Sequence, residues 1–310
     1  MHERLLAIAG PCTTNQTTQL EPLIQAIRDR FGASLLAIVY YGACLRDGDP
    51  YAGLIDFYVV LDRCGPPGQS RVGGLFNRLV PPNVYYLERT ASEGLLRCKY
   101  AVLGITQLEA GAARGFQSSI WGRFAQPVAL VYARRANDGR RVRAACGEAV
   151  VTLLRKALPA IGETGSAGHA FAAALALSYA SELRVERAAR SSDFVGANAD
   201  EYARRLGHAT ALLPFAASID NDGTVVCSVP AWWRGVAAIG WPLRRIAGKL
   251  LSVLRLVKAC FTFTDAVDYA AFKIERHTGV AIDVTHRLRR HPLIFGWLAL
   301  WRVYKRRILR

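Results

Sequence analysis

Apolar and polar positions change their rhythm partway along the chain. Through the first 135 residues, short apolar runs of strand length alternate with helical stretches. Leu20 to Phe31 repeats its apolar residues at helical spacing, after the polar pair Thr17-Thr18 and before the stop Gly32. Ser34 to Tyr41 and Leu54 to Leu61 are two buried-strand runs, separated by the polar, Gly- and Pro-containing loop Asp47 to Gly53. A short helix is predicted near Val72 to Leu79. The turn Pro81-Pro82-Asn83 then leads into a strand over Val84 to Glu88, and a Ser-Glu-Gly turn at 92–94 into a strand over Leu95 to Leu103. A helical stretch over Ile105 to Trp121 and a strand over Val128 to Ala133 complete this part.

From Arg140 the period becomes helical. Helices are expected over Arg141 to Leu158, Ala167 to Arg190 and Ala199 to Leu213, followed by a short hairpin over Ile219 to Val226. The organisation expected is an α/β domain over 1–138, an all-helical domain over 139–228 and a basic helical tail over 229–310.

Composition sharpens this in two places. Hydrophobic residues make up 52% of the 310, enough for a sizeable buried core, which excludes a disordered chain. Lys and Arg number 40 against 24 acids, so the net charge is +16 and an anionic partner is expected. The excess is concentrated in the tail, where 16 Lys and Arg stand against 4 acids from Val229 onward. The 7 cysteines are scattered and form no Cys-x-x-Cys pair, which argues against a zinc site and a disulfide framework and for a reducing compartment. No signal segment or membrane-spanning run is read from the sequence, so any membrane contact is expected to be peripheral.

The chemistry concentrates in Val39 to Asp62. One strand ends in Tyr-Gly-Ala, a loop follows, and the next strand carries Asp56 among large apolar residues. This is the layout of polymerase-β-like nucleotidyltransferases, in which a glycine lets the backbone approach a triphosphate and strand carboxylates hold Mg²⁺. A carboxylate on a rigid strand end is a well-positioned ligand. Asp62 lies on the same strand face but about 20 Å away at ~3.3 Å per residue, too far to share an ion with Asp56. Lys99 falls on a strand between apolar residues, where an unpaired ammonium is costly. A phosphate group and a salt bridge to Asp56 are both open as its partner.

Four ordered matches resemble the mitochondrial translocator-maintenance family of phosphatidate cytidylyltransferases. They are Tyr41-Gly42-Ala43-Cys44-Leu45 with Leu54-Ile55-Asp56-Phe57; Val84-Tyr85-Tyr86 with Cys98-Lys99-Tyr100-Ala101-Val102; Ile120-Trp121-Gly122-Arg123 through Pro127-Val128; and Leu177-Ser178-Tyr179 through Arg184. Together they cover roughly residues 39 to 190. The resemblance implies a cytidylyl transfer from CTP to phosphatidate with release of pyrophosphate. It implies Asp56 as metal ligand and catalytic residue with Mg²⁺ as cofactor, and Lys99 as a second catalytic residue. Gly42, Ala43, Tyr100, Arg123, Ser178, Tyr179 and Arg184 would hold the nucleotide. Two departures stand out. Ala43 replaces the family's serine, and its His-Tyr-Ser block has no counterpart between Gly65 and Pro82.

The tail supplies a separate signal. On a helical wheel, Leu243, Ile246, Ala247, Leu250, Val253, Leu254 and Val257 share one face, and Arg244, Arg245, Lys249, Arg255 and Lys258 share the other. With Trp232, Trp233 and Trp241 just upstream, the segment fits a helix lying in a membrane surface. His286 to Arg310 repeats this basic-aromatic chemistry. The expectation is a protein peripheral on the inner face of the cytoplasmic membrane, with anionic lipid as partner and nucleic acid not expected. A catalytically silent membrane-binding scaffold, or a nucleotidyltransferase with another acceptor, is the alternative.

Overall fold

A computed structural model of the protein describes residues 1–63, 82–162, 164–182, 195–196, 198–262, 285 and 288; of 256–262 it describes the backbone alone. The helix predicted near Val72 to Leu79, the residue Arg184 and the stretch His286 to Arg310 therefore lie outside the described residues, apart from the isolated position 288.

The fold is mixed α/β around a mixed five-stranded sheet. Helix α1 (His2–Ala9) and helix α2 (Thr17–Phe31) precede strand β1 (Leu35–Tyr41). A five-residue helix α3 (Ala43–Asp47) links β1 to β2 (Ile55–Leu61). Strands β3 (Asn83–Ala91) and β4 (Gly94–Gly104) form a hairpin, followed by α4 (Ile105–Arg114), the single turn α5 (Trp121–Phe124) and β5 (Ala129–Ala133). The sheet order is β3-β4-β2-β1-β5. Only the β2–β4 pair runs parallel, because the chain crosses from β2 to the far edge strand β3 before returning through β4.

The long helix α6 (Ala136–Ile161) is followed by β6 (Thr164–Ser166), α7 (Ala167–Ala180), α8 (Ala199–Thr210) and the strands β7 (Ala216–Ile219) and β8 (Thr224–Ser228). Strand β8 pairs with both β6 and β7 in a second small sheet. Helix α9 (Ala231–Thr262) closes the described chain.

Alternation along the strands divides the core in two. One face sends Leu35, Ile38, Phe57, Val59, Cys98 and Tyr100 against Leu20, Leu23, Ile24, Ile27 and Phe31 of α2, whose spacing is that of a helical stripe. The other face sends Ala37, Val39, Tyr58, Val60, Ala101 and Leu103 into a larger cluster that continues through α1, α4, α6, α7 and α8.

Several boundaries differ from those read in the sequence. The helix expected over Ile105 to Trp121 breaks between Arg114 and Trp121, where Gly115 ends α4. Helix α6 begins at Ala136 rather than Arg141, although Asn137-Asp138-Gly139 reads locally as a turn. Packing wins there, since Gly139 lies against Leu130 and Ala133 of β5, a contact no local signal encodes. Helix α8 ends at Thr210, three residues before the expected end, and α7 ends at Ala180.

The amphipathic tail segment belongs to a helix 32 residues long, about 48 Å at 1.5 Å per residue, that continues through Pro242. It docks by a narrow stripe that includes Trp233, Ala237, Trp241 and Arg244. Trp241 is buried edge-on against Trp121 and donates its indole N–H to the Lys156 carbonyl at 3.0 Å. Trp232, Val236, Ile239, Leu243, Ile246, Leu250, Val253 and Leu254 are instead exposed. No described helix is long and apolar enough to cross a membrane.

The two faces of α9 make a direct comparison possible. Trp241→Ala should lower unfolding free energy by about 3–5 kcal/mol, whereas Ile246→Ser should change it by no more than ~0.5 kcal/mol. Urea denaturation of both variants checks this, and equal losses would mean that the buried face is misassigned.

Candidate functional site

Strand registry builds the site. Asp56 of β2 lies opposite Tyr41 of β1 on one side and Lys99 of β4 on the other, and Lys99 in turn lies opposite Tyr86 of β3. Directly opposed residues share a face, so these four side chains form a polar row across the sheet on the side of the larger cluster. Lys99 Nζ approaches Asp56 Oδ1 at 3.0 Å, with both side chains partly exposed. Of the two partners open for Lys99 in the sequence, the structure contains the carboxylate.

That ion pair does not satisfy the carboxylate. Asp56 Oδ1 is itself buried and receives no aligned hydrogen bond; the ammonium is close but off the hydrogen-bonding line. On the other side, Gly42 adopts φ +96°, a left-handed conformation that strains residues with a side chain, and a Cβ there would sit 2.8 Å from Asp56 Oδ2. The glycine thus opens a cradle around the carboxylate that any larger residue would fill. Ala43 follows as the exposed first residue of α3. Asp62 lies exposed beyond the far end of β2, where its N–H donates to the Ser34 carbonyl.

Two residues along β2 on the same face, Tyr58 stacks between Tyr41 and Phe124, with ring centroids 4.9 and 4.8 Å away. Its hydroxyl accepts from Arg123 Nη1 at 3.2 Å, while Arg123 Nη2 donates to Glu182 at 3.1 Å. Burial works against the charge on Arg123, but Tyr58 and the Glu182 carboxylate outweigh it and keep the guanidinium firmly protonated. Its Nε is buried without a partner. Arg255 of α9 donates to Ser119 Oγ at 3.3 Å, and burial together with the nearby Arg123 charge pushes it below the usual arginine range. Tyr58, Arg123, Ser119 and Arg255 border a cavity of about 230 Å³ that continues the face carrying Asp56.

The structure therefore brings together Gly42, Asp56 and Lys99, with Arg123 farther along the same face. It separates others from them. Tyr100 lies on the opposite face, buried between Phe31 and Tyr85, with its hydroxyl accepting from Arg30 at 2.6 Å. The reason is alternation, since adjacent strand residues point to opposite faces. Ser178 is buried in the seam between α7 and α5, where a Cβ on Gly122 would fall 2.0 Å from its Oγ. Tyr179 donates its hydroxyl to Gln126, two residues past α5, at 2.8 Å. Tyr58, Glu182 and Arg255 were not singled out in the sequence. Tyr58 could have been found by stepping two residues from Asp56 along the strand. Arg255 carried only the signal of a basic tail.

Among the described residues no cluster of three or more His, Cys, Asp or Glu could enclose a metal. The arrangement nevertheless fits an ion brought by a polyphosphate. Mg²⁺ commonly takes one or two protein carboxylates and fills its remaining positions with phosphate oxygens and water. Asp56 Oδ1, buried beside the Lys99 ammonium, and Oδ2, against Gly42, are the oxygens that would hold such an ion.

The Gly42 geometry carries its own test. Gly42→Ala should lower stability by about 1–3 kcal/mol, from the left-handed φ and the contact with Asp56. Denaturation of the variant checks it; an unchanged midpoint would contradict the close approach.

No protein-family model matches the chain, and no curated protein sequence matches it either.

Proposed function

We propose that this protein is an Mg²⁺-dependent nucleotidyltransferase that transfers a cytidylyl group from CTP to phosphatidate at a membrane surface. The observation that carries this reading is the glycine-lined carboxylate Asp56, buried at one oxygen and flanked by Lys99. The order of the sequence motifs supplies the base and the acceptor.

In this reading Asp56 and Lys99 divide the work at the nucleotide. Asp56 would hold the Mg²⁺, which when bound neutralises charge on the triphosphate. Lys99, 3.0 Å from Asp56, would shift its ammonium to a phosphate oxygen once nucleotide arrives. Gly42 leaves room for the Asp56 carboxylate at the strand end. Arg255, and Arg123 if it exchanges Glu182 for phosphate, would offer donors to an acceptor phosphate in the adjoining cavity. A phosphatidate oxygen attacks the α-phosphorus in line, its bond forms as the bond to pyrophosphate breaks, and no covalent enzyme intermediate is needed. Because a phosphomonoester oxygen is already ionised, the step needs no general base.

Helix α9 supports the membrane half of the proposal. Its exposed apolar side runs from Trp232 to Leu254 and is bordered by exposed Arg234, Arg245 and Lys249. An anionic bilayer complements both features, hydrocarbon for the stripe and phosphate for the flank.

The loss of the family's serine at Ala43 and the occupation of Asp56 by Lys99 favour one other reading, a catalytically silent scaffold on the membrane. Two measurements separate them. Asp56→Asn should remain folded at reduced stability, because Lys99 loses the Asp56 carboxylate, and should lose Mg²⁺-dependent CTP affinity and at least about 10²-fold in CDP-diacylglycerol formation. A wild-type protein that binds no Mg-CTP and consumes none across a lipid panel would be the scaffold. Separately, the native chain should float with phosphatidate-containing vesicles, less so at high salt, and the double variant Ile246→Asp/Leu250→Asp should remain in the dense fraction. Unaltered flotation of that variant would remove α9 from the membrane contact.

A further inference from the structure

A second cavity, of about 310 Å³, lies where the C-terminal ends of α4 and α6 meet α9, and it shares no lining residue with the one beside Tyr58. Four cationic side chains line it: Arg114 of α4, Arg155 and Lys156 of α6, and Arg244 of α9. Trp233 and Val236 provide an apolar wall.

Among the described residues, the charges converge without acidic compensation. Arg244 is buried, donates from Nε to the Phe116 carbonyl at 3.0 Å, and lies against the Phe116 and Trp241 rings. Arg155 donates to the Ala113 carbonyl at 2.8 Å and to Thr152 Oγ1 at 3.2 Å. These acceptors are neutral, and among the described residues no carboxylate pairs with any of the four cations. Burial, and then the charges of Arg244 and Arg155, push Lys156 down to about 8. Burial likewise pushes Arg244 below its usual range. Placing like charges around a half-enclosed space raises the energy of the empty protein, and a multiply charged anion relieves it.

We propose that this cavity binds a phosphomonoester dianion. Three helices supply donors from different directions, which suits the several oxygens of a phosphate better than a single carboxylate. The same chemistry occurs in free phosphate esters and in a lipid headgroup. Val236 belongs to both the cavity wall and the exposed stripe of α9, so a lipid phosphate seated here would have its chains beside that stripe. The site stands apart from the nucleotide chemistry: none of its residues contributes to the Asp56 row or the adjoining cavity.

Lys156 itself reports occupancy. With its pKa near 8, it is substantially neutral and nucleophilic at pH about 8, and a bound anion raises the pKa and protects it. The full chain is labelled with an amine-reactive acyl reagent, with modification at Lys156 followed by mass spectrometry. The competitors are inorganic phosphate, glycerol 3-phosphate and dihexanoyl phosphatidate, with dihexanoyl phosphatidylcholine as the phosphodiester control.

Protection by inorganic phosphate and glycerol 3-phosphate assigns a free phosphate ligand; protection by phosphatidate alone assigns a lipid headgroup. Either result supports the site. Calorimetric affinity for the protecting ligand should fall about tenfold or more in Arg114→Gln/Lys156→Gln. Labelling at an unchanged rate with every competitor, protection equal to that by the phosphodiester, or undiminished affinity in the double variant would overturn it. Folding is controlled independently. The unfolded chain binds the Lys156 proton up to about 10.5 but the native chain only to about 8, so native stability rises with pH across that window. Lys156→Gln should lack that rise and be no less stable than wild type at neutral pH. Asp56→Asn should leave phosphate protection intact, so failure of the transferase reading and failure of this one give different results.

Discussion

A carboxylate and an ammonium near the middle of an apolar sheet can remain there only if the surrounding structure answers both charges, and this requirement organises the region between β1 and β4. Asp56 and Lys99 are brought side by side by parallel registry, not by chain proximity. Their pairing limits the desolvation cost of each. The match is incomplete, because one carboxylate oxygen remains without an aligned donor. A purely structural pair would be expected to complete its hydrogen bonding. One oxygen without an aligned donor, and the other packed against Gly42, make this corner a candidate for chemistry.

The rest of the molecule can be understood as support for that row. The face bearing Tyr100 is closed by α2, with Cys44 of α3 at its edge, and is packed hydrocarbon with aromatic edges. The face bearing Asp56 is covered by several helices, among them α1, α4 and α6, but Ser119 before α5 and Arg123 within it border a cavity beside the sheet. The basic tail then enters the same architecture. Helix α9 offers Arg255 to the cavity next to Tyr58, Arg244 to the cavity behind α6, and its apolar side to the exterior. One helix thus connects two spaces lined by basic residues with an exposed apolar surface.

Much of this was legible in the residues. Apolar period and turn chemistry located the described strands of the main sheet and helices such as α2 and α8 to within a few positions, because α2, β1 and β2 have strong local patterns and clear stops such as Gly32, whereas α1 and α3 were not foreseen. The junction of Gly42 and Asp56 could be singled out because a glycine and an acid on facing strand ends are unusual in so apolar a setting. The wheel of Leu243 to Ala259 identified the apolar side of α9, since helical geometry alone fixes which residues share a face.

Tertiary structure decided what local pattern could not encode. Whether Lys99 met a phosphate or Asp56 depended on β4 lying parallel to β2, a pairing made across more than 40 residues of chain. Tyr100 sat next to Lys99 in a motif, yet pleating turned it into the opposite core. Ser178 and Tyr179 became part of a helix seam because α5 approaches closely at Gly122. The convergence of Arg114, Arg155, Lys156 and Arg244 has no sequence signature at all, since these residues come from three helices and only packing collects them. Composition and periodicity determined the elements and their faces; long-range registry and helix docking determined which charges met, because those interactions depend on distance in space.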